Sequence, residues 1–222
     1  MILGVDTSLG TAVAVVEADG VVRAEAASSD PLAHAEVIGL LLEGALADAA
    51  LGPVGAASAP EPVEITHVAA GMGPGPFTGL RVGIAAARAF ALGRGLPVIA
   101  VPSHDAAALS VLLADPHAPE ETFAIVTDAR RREFAYTVYR GLDDDGLPQR
   151  VTEPALTPRD RIDDALADHG AVRRDVTAIS AAMLAVAAAR ALAAGSELTG
   201  GEPLYLRAPD VTLPGTPKKV GA

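Results

Sequence analysis

The segment Gly71-Met72-Gly73-Pro74-Gly75-Pro76-Phe77-Thr78-Gly79-Leu80-Arg81-Val82-Gly83 is the part of this chain best equipped to touch a ligand. It joins an apolar strand to a helix, and bare backbone N–H groups at a helix start attract anions and phosphate. Gly73, Gly75 and Thr78 are the candidate contacts of that kind. The dinucleotide-binding fingerprint is not met, because Thr78 stands where its third glycine belongs. A P-loop is not met either, because no lysine follows. A packing explanation stands beside the anion one. Glycine supplies tight turns, and Gly79 and Gly83, four apart on one helical face, allow close helix packing.

Asp6 and Asp128 each end an apolar strand and precede a polar turn, so they hold matching places in the two halves of the chain. In a phosphotransferase such carboxylates would hold a hydrated Mg²⁺ beside nucleotide phosphates. Each could equally order its own turn. The histidines at 34, 67, 104, 117 and 169 include no two spaced three to five apart, so the pairing that puts two imidazoles on one helical face is missing. His34 with Glu36 reads as a polar cluster at a helix start, and His104 as a partly exposed helix-start residue. Gly-x-Ser-x-Gly is absent, which removes the usual hydrolase elbow. With no cysteine, thiolate catalysis, disulfides and Cys-containing zinc sites are excluded. The only lysines, Lys218 and Lys219, lie in the tail, so a Schiff-base lysine is implausible. Arg130-Arg131-Arg132 reads as a solvated basic turn that could meet an acidic partner.

The elements that must position these groups repeat. Ile2–Asp6, Thr11–Glu17 and Val21–Ala27 read as strands, the last two joined at Asp19-Gly20, a strong hairpin signal. A helix over 32–51, a Pro/Ala/Gly-rich loop over 52–64, a strand over 65–70, a helix over 77–94 stopped by Gly95 and Pro97, and a strand over 97–101 follow. The second half opens the same way, with strands over 123–127, 133–140 and 149–153. Thr157-Pro158-Arg159-Asp160 then reads as a capped helix start, followed by a strand over 176–180 and a helix over 181–194. Two copies of one order imply an internal duplication. The fold class is α/β: two lobes, each with three antiparallel strands extended by parallel ones and flanked by helices, the layout of the actin/hexokinase/Hsp70 class. The expected division is a lobe over 1–104, a smaller lobe over 105–199 and a tail over 200–222.

Half of the 222 residues are hydrophobic but only 3% are aromatic, so the core must be built from Ala, Val, Leu and Ile. The net charge of −11 repels phosphate backbones, so an RNA-related function would need another molecule to hold the RNA. No basic region precedes Asp6, and the longest uncharged apolar run is too short to span a bilayer, which suggests a soluble cytoplasmic protein. From Phe77 to Leu92 the only charges are Arg81 and Arg88, and the helix over 32–51 is also broadly apolar. Such helices have apolar surface to spare after covering one sheet. A partner interface carried by Val37, Leu41, Gly79, Leu80, Gly83 and Ala87 is the expectation; cover by the other lobe or by the 52–64 loop is the alternative.

Six segments now stand in order: ILGVDTS at 2–8, His34 with Glu36, GMGPGPFTGLRVG at 71–83, VPSHDAAAL at 101–109, TDARRREFAY at 127–136 and PLYLRAPDVT at 203–212. On these the chain resembles the TsaB (YeaZ) family, the accessory subunit of bacterial tRNA threonylcarbamoyladenosine synthesis. Pro76 departs from the serine usual there, and Phe134-Ala135 from a Val-Tyr type pair. The resemblance implies an actin-like (ASKHA, RNase H-like) fold. It also implies a scaffold rather than a catalyst, one that binds the catalytic relative TsaD through its N-terminal lobe helices, recruits the ATPase TsaE and forms a homodimer when alone. TsaD carries an HxxxH metal pair near the region matching 101–109. Here Ser103 with Ala107, or His104 with Ala108, take those spacings, so no catalytic residue, metal or required cofactor is expected, and no direct tRNA or membrane binding. A stand-alone ATP-binding phosphotransferase of this fold, or a related peptidase, is the rival reading.

Overall fold

Apolar side chains fill β1 (Ile2–Asp6) and β2 (Thr11–Val16) so completely that both strands are buried on both faces. That is the pattern of strands with helices above and below. In the computed structural model, which describes residues 1–30, 33–52, 62–115 and 121–207, they sit at the centre of a five-stranded sheet. β3 (Val22–Ser28), β4 (His67–Gly71) and β5 (Val98–Val101) complete it in the order β3-β2-β1-β4-β5. β1, β2 and β3 run antiparallel, while β4 and β5 are parallel to β1. The helices α1 (His34–Ala50) and α2 (Phe77–Arg94) cover one face, burying Ile38, Ala45, Leu80, Ile84 and Ala87 against Leu3, Val5, Val13 and Val68. Gly95, at φ 67°, ends α2 in the left-handed conformation that its sequence position predicts.

The second sheet repeats the first. β6 (Thr122–Asp128), β7 (Glu133–Leu142), β8 (Pro148–Arg150) and β10 (Val172–Asp175) lie in the order β10-β6-β7-β8, with β10 parallel to β6 and the others antiparallel. The first sheet has the same order in β4-β1-β2-β3. The architecture is therefore the duplicated actin-like one. Four details differ from expectation. β9 (Ala155–Pro158) adds a strand along the start of β7, so Thr157 is in a strand and caps no helix; a single 3-10 turn at Arg159–Arg161 leads into α4 (Ile162–Ala167) instead. The parallel strand is β10, not 176–180. That Val-Thr-Ala-Ile run approaches α5 (Ala181–Ala194), whose N-cap Ser180 accepts a bond from the Met183 amide. The helix start read at His104 extends as α3 (Ser103–Ala114), through alanines that gave no amphipathic signal. His104, expected partly exposed, is 0% exposed. Residues 53–61 of the 52–64 loop lie outside the described residues.

The core joins the lobes. α5, from the second half, lies on the first sheet, where Gly4 leaves room for it: a Cβ there would sit 2.3 Å from the Ala181 carbonyl oxygen. α3, from the first half, packs on α5 and on the second sheet. One apolar cluster runs from Ile2, Ala12 and Ala14 through the alanines of both helices to Phe123, Ile125 and Tyr139. The division at 104/105 thus falls inside α3 and does not separate two cores.

Candidate functional site

Between the lobes, a cleft of about 610 Å³ opens where the first turns of the two sheets face each other. One wall is Pro74 to Gly79 and His34; the other is Thr127 to Arg131 with Ala135 and Leu156; Tyr205 to Arg207 close one side. The sequence brings these groups together because each sheet begins with strand, aspartate and turn.

The two aspartates do the same local work. The Ser8 amide donates to Asp6 Oδ1 at 2.8 Å, and the Arg130 amide donates to Asp128 Oδ1 at 2.8 Å, each two residues ahead of its acceptor. Each carboxylate thus orders its own turn. Asp6 is buried beneath its turn and also accepts from Ser8 Oγ at 2.6 Å and Ser103 Oγ at 2.5 Å. Burial raises its pKa, and the bonds from Ser103 and Ser8 oppose the rise. Gly71 is required beside it, since a Cβ there would lie 2.0 Å from Asp6 Oδ2. Asp128 is exposed; the hydrogen bond from Arg159, 2.6 Å from Oδ2, holds its pKa below the usual carboxylate range.

The glycine segment serves packing at two of its positions. Thr7 Oγ1 donates to the Gly79 carbonyl at 2.7 Å and accepts from the Gly83 amide at 3.1 Å. A Cβ at Gly83 would stand 2.1 Å from that hydroxyl oxygen, and one at Gly79 would stand 3.1 Å from His34 Nε2. The close neighbours are thus the β1–β2 turn and His34, the first residue of α1. Gly73 is buried, with its amide donating to Ser103 Oγ at 3.1 Å, so it does not face the cleft; Gly75 and Thr78 do. Leu80, Gly79, Gly83 and Ala87, expected at a partner interface, are buried in the chain's own lobe, and Val37 and Leu41 are half-buried. The α2 ridge is also crossed by the chain's own 201–207. The Arg81 guanidinium lies 3.7 Å over the Phe77 ring and donates to Tyr205 Oη at 3.0 Å, and Arg88 donates to the Gly201 carbonyl. Outside that strap the helices still expose Leu40 (69%) and Leu92 (85%).

Sequence reasoning placed His104 at a helix start but missed how deeply the first turn of α3 is buried. His104 Nδ1 lies 2.8 Å from Thr137 Oγ1 and Nε2 lies 3.0 Å from Thr127 Oγ1; burial lowers its pKa to about 3. Asp105, also buried, accepts from Tyr139 Oη and from Arg150 Nε, each at 2.8 Å, and from Arg150 Nη2 at 2.5 Å. Burial raises the Asp105 pKa against the pull of Arg150. The polar triplet Ser-His-Asp opening an otherwise apolar helix was the available signal. Among the described residues no group of three or more metal-ligating side chains occurs, and no helix is long and apolar enough to cross a membrane.

Residues 15–195 match the family model described as TsaD, tRNA N6-adenosine threonylcarbamoyltransferase. Uncharacterized proteins of Mycobacterium bovis and Mycobacterium tuberculosis are 37% identical over 164 residues, which is 73% of this chain and 67% of theirs. One of Mycobacterium leprae is 36% identical over 70% of this chain but only 38% of its own length. Two solved structures from Pseudomonas aeruginosa superpose with a TM-score of 0.68. One is an uncharacterized protein with similarity to peptidase YeaZ, 24% identical over 93% of this chain and 99% of that one. The other is YeaZ itself, 25% identical over 92% and 99%.

Proposed function

The chain is a TsaB (YeaZ) family protein matched by the model of the tRNA N6-adenosine threonylcarbamoyltransferase family, and on that premise we propose that it is the scaffold subunit of a threonylcarbamoyl-transferring complex. It grips a TsaD-type catalytic chain, supports recruitment of a TsaE-type ATPase, and pairs with itself when alone. The observation that carries this reading is the outer surface of α1 and α2. Leu40 on α1 and Leu92 near the end of α2 are exposed on helices whose inner faces are already spent on the sheet, which leaves apolar side chains for a partner to cover. The half-buried Val37 and Leu41 flank that surface, whereas the buried glycines position the helices from within. The aspartates that a phosphotransferase would need are engaged, Asp6 by Ser8 and Ser103 and Asp128 by Arg159, which supports an assembly role over turnover by this chain. A net charge of −11 leaves the tRNA to the partner.

Light scattering of the chain mixed with a TsaD-type subunit tests the proposal. A complex at micromolar concentration is expected. Leu40→Arg with Leu92→Arg should weaken it at least about tenfold, roughly 1.4 kcal/mol, without lowering the melting temperature of the isolated chain. Absence of a complex, or unchanged affinity in the double variant, would refute it.

A further inference from the structure

The first turn of α2 is open to the cleft. Its N-cap is Pro76, and no side chain caps it. The Leu80 amide makes the first helical bond, to the Pro76 carbonyl. The amides of Phe77, Thr78 and Gly79 come before it and have no partner among the described residues, so they present the positive end of the helix to the cleft that these residues line.

An independent group points to the same place. His34 is 7% exposed and lines the cleft. Its Nδ1 is held 2.8 Å from Thr11 Oγ1. Its Nε2 has no hydrogen-bond partner among the described residues, lies against Gly79, and is not sealed from solvent. With Nδ1 already fixed, Nε2 is left to meet whatever occupies the cleft. The facing wall is basic. Arg130, Arg131 and Arg207 line the cleft against one carboxylate, Asp128, which Arg159 already engages; Arg207 also pairs with Glu133. This concentration of cations occurs in a chain of net charge −11.

We propose that the cleft binds the oxyanion of a small phosphate compound without a divalent metal, seated on the Phe77–Gly79 amides and His34 Nε2 and faced by the Arg130 guanidinium. A magnesium-bridged mode is disfavoured because Asp6 is covered and Asp128 is occupied by Arg159. The cleft is several times larger than a bare oxyanion and is partly apolar at Leu9, Pro74 and Leu156, so a phosphomonoester fits better than free phosphate. The inference is independent of the scaffold reading and concerns the chain alone.

Titration of the ¹⁵N-labelled chain with inorganic phosphate, and separately with adenosine monophosphate, both in EDTA, tests it by NMR. Saturable shifts are expected at the 77–79 amides and at His34 Nε2. A monoester bound at least about tenfold tighter than phosphate assigns the organic source, and equal affinity assigns free phosphate. Arg130→Gly removes the guanidinium at φ 61°, where glycine keeps the backbone. It should weaken binding about tenfold while the remaining spectrum is unchanged. No saturable shift at 77–79, unchanged affinity in Arg130→Gly, or binding that requires Mg²⁺ and is lost in Asp128→Asn would overturn the proposal.

Discussion

Acidification should destabilise this protein through His104 by an amount that its burial sets. The imidazole is sealed between Thr127 and Thr137 on α3, and the folded chain resists its protonation until about pH 3. In the unfolded chain the same group titrates near 6.5. The folded pKa is depressed, so the unfolded state binds the proton first. Stability is full above the unfolded value and falls as pH drops towards the folded one. In the middle of that window the unfolded state carries almost one proton more, and the slope approaches about 1.4 kcal/mol per pH unit. Between about pH 7.5 and about pH 5 the loss is about 2 kcal/mol, and it barely changes for any folded value below about 4. Asp6 and Asp105 act in the opposite sense, because their raised folded values favour the folded state as they protonate. The measurement is therefore a difference: urea unfolding of the wild type and of His104→Gln, whose amide can bond both threonines, at a series of pH values. The wild type should lose about 2 kcal/mol more than the variant across that range. Two curves parallel to within about 0.5 kcal/mol, half a typical hydrogen bond, would refute the reasoning.

Gly83→Ala places a Cβ 2.1 Å from Thr7 Oγ1, an overpacking worth about 1–3 kcal/mol set against about 1 kcal/mol of gained helix propensity. Urea melts should show net destabilisation, and Thr7→Ala in the same chain should recover at least about 0.5 kcal/mol relative to additivity. Arg150→Met strips the buried Asp105 of its cation and should cost about 3–5 kcal/mol. Arg161→Met, whose pair with Asp164 is exposed, should cost less than about 0.5 kcal/mol by the same measurement.

The outer frame was readable because short-range signals determine it. The boundaries of β1, α2 and α5 match expectation to the residue, since each combines a largely apolar run with a glycine, proline or aspartate at its end. The 176–180 run misled because Val, Thr and Ile favour strands wherever they occur, while the Arg-rich edge strand β10 offers no apolar alternation. The extent of α3 beyond its start was hidden for the opposite reason: buried on nearly every side, it has no polar face whose period could be read. In the site, matching sequence positions disclosed the pairing of Asp6 with Asp128. Which way each carboxylate turns depends on Ser103 and Arg159, residues 97 and 31 positions away, and no local pattern carries that information. Gly79, Leu80, Gly83 and Ala87, expected at an interface, lie buried on the inner side of α2, because composition reveals how much of a helix is apolar but not which arc the sheet consumes.

The start of α3 explains how two small, aromatic-poor lobes form one body. Three consecutive side chains divide between them. Ser103 donates to Asp6 and accepts from the Gly73 amide in the first lobe, while His104 bonds Thr127 and Thr137, and Asp105 bonds Tyr139 and Arg150, in the second. Behind this polar seam, alanines of α3 and α5 let the helices approach each other and both sheets closely, which larger side chains would prevent. The alanine-rich, tryptophan-free composition is thus a requirement of the junction. Opening the cleft widely would expose that shared core and break the seam at once, so α1 and α2 are presented on a rigid support. Charging His104 attacks the seam at its middle, which is why the acid sensitivity of one buried imidazole tests the coupling of the whole molecule.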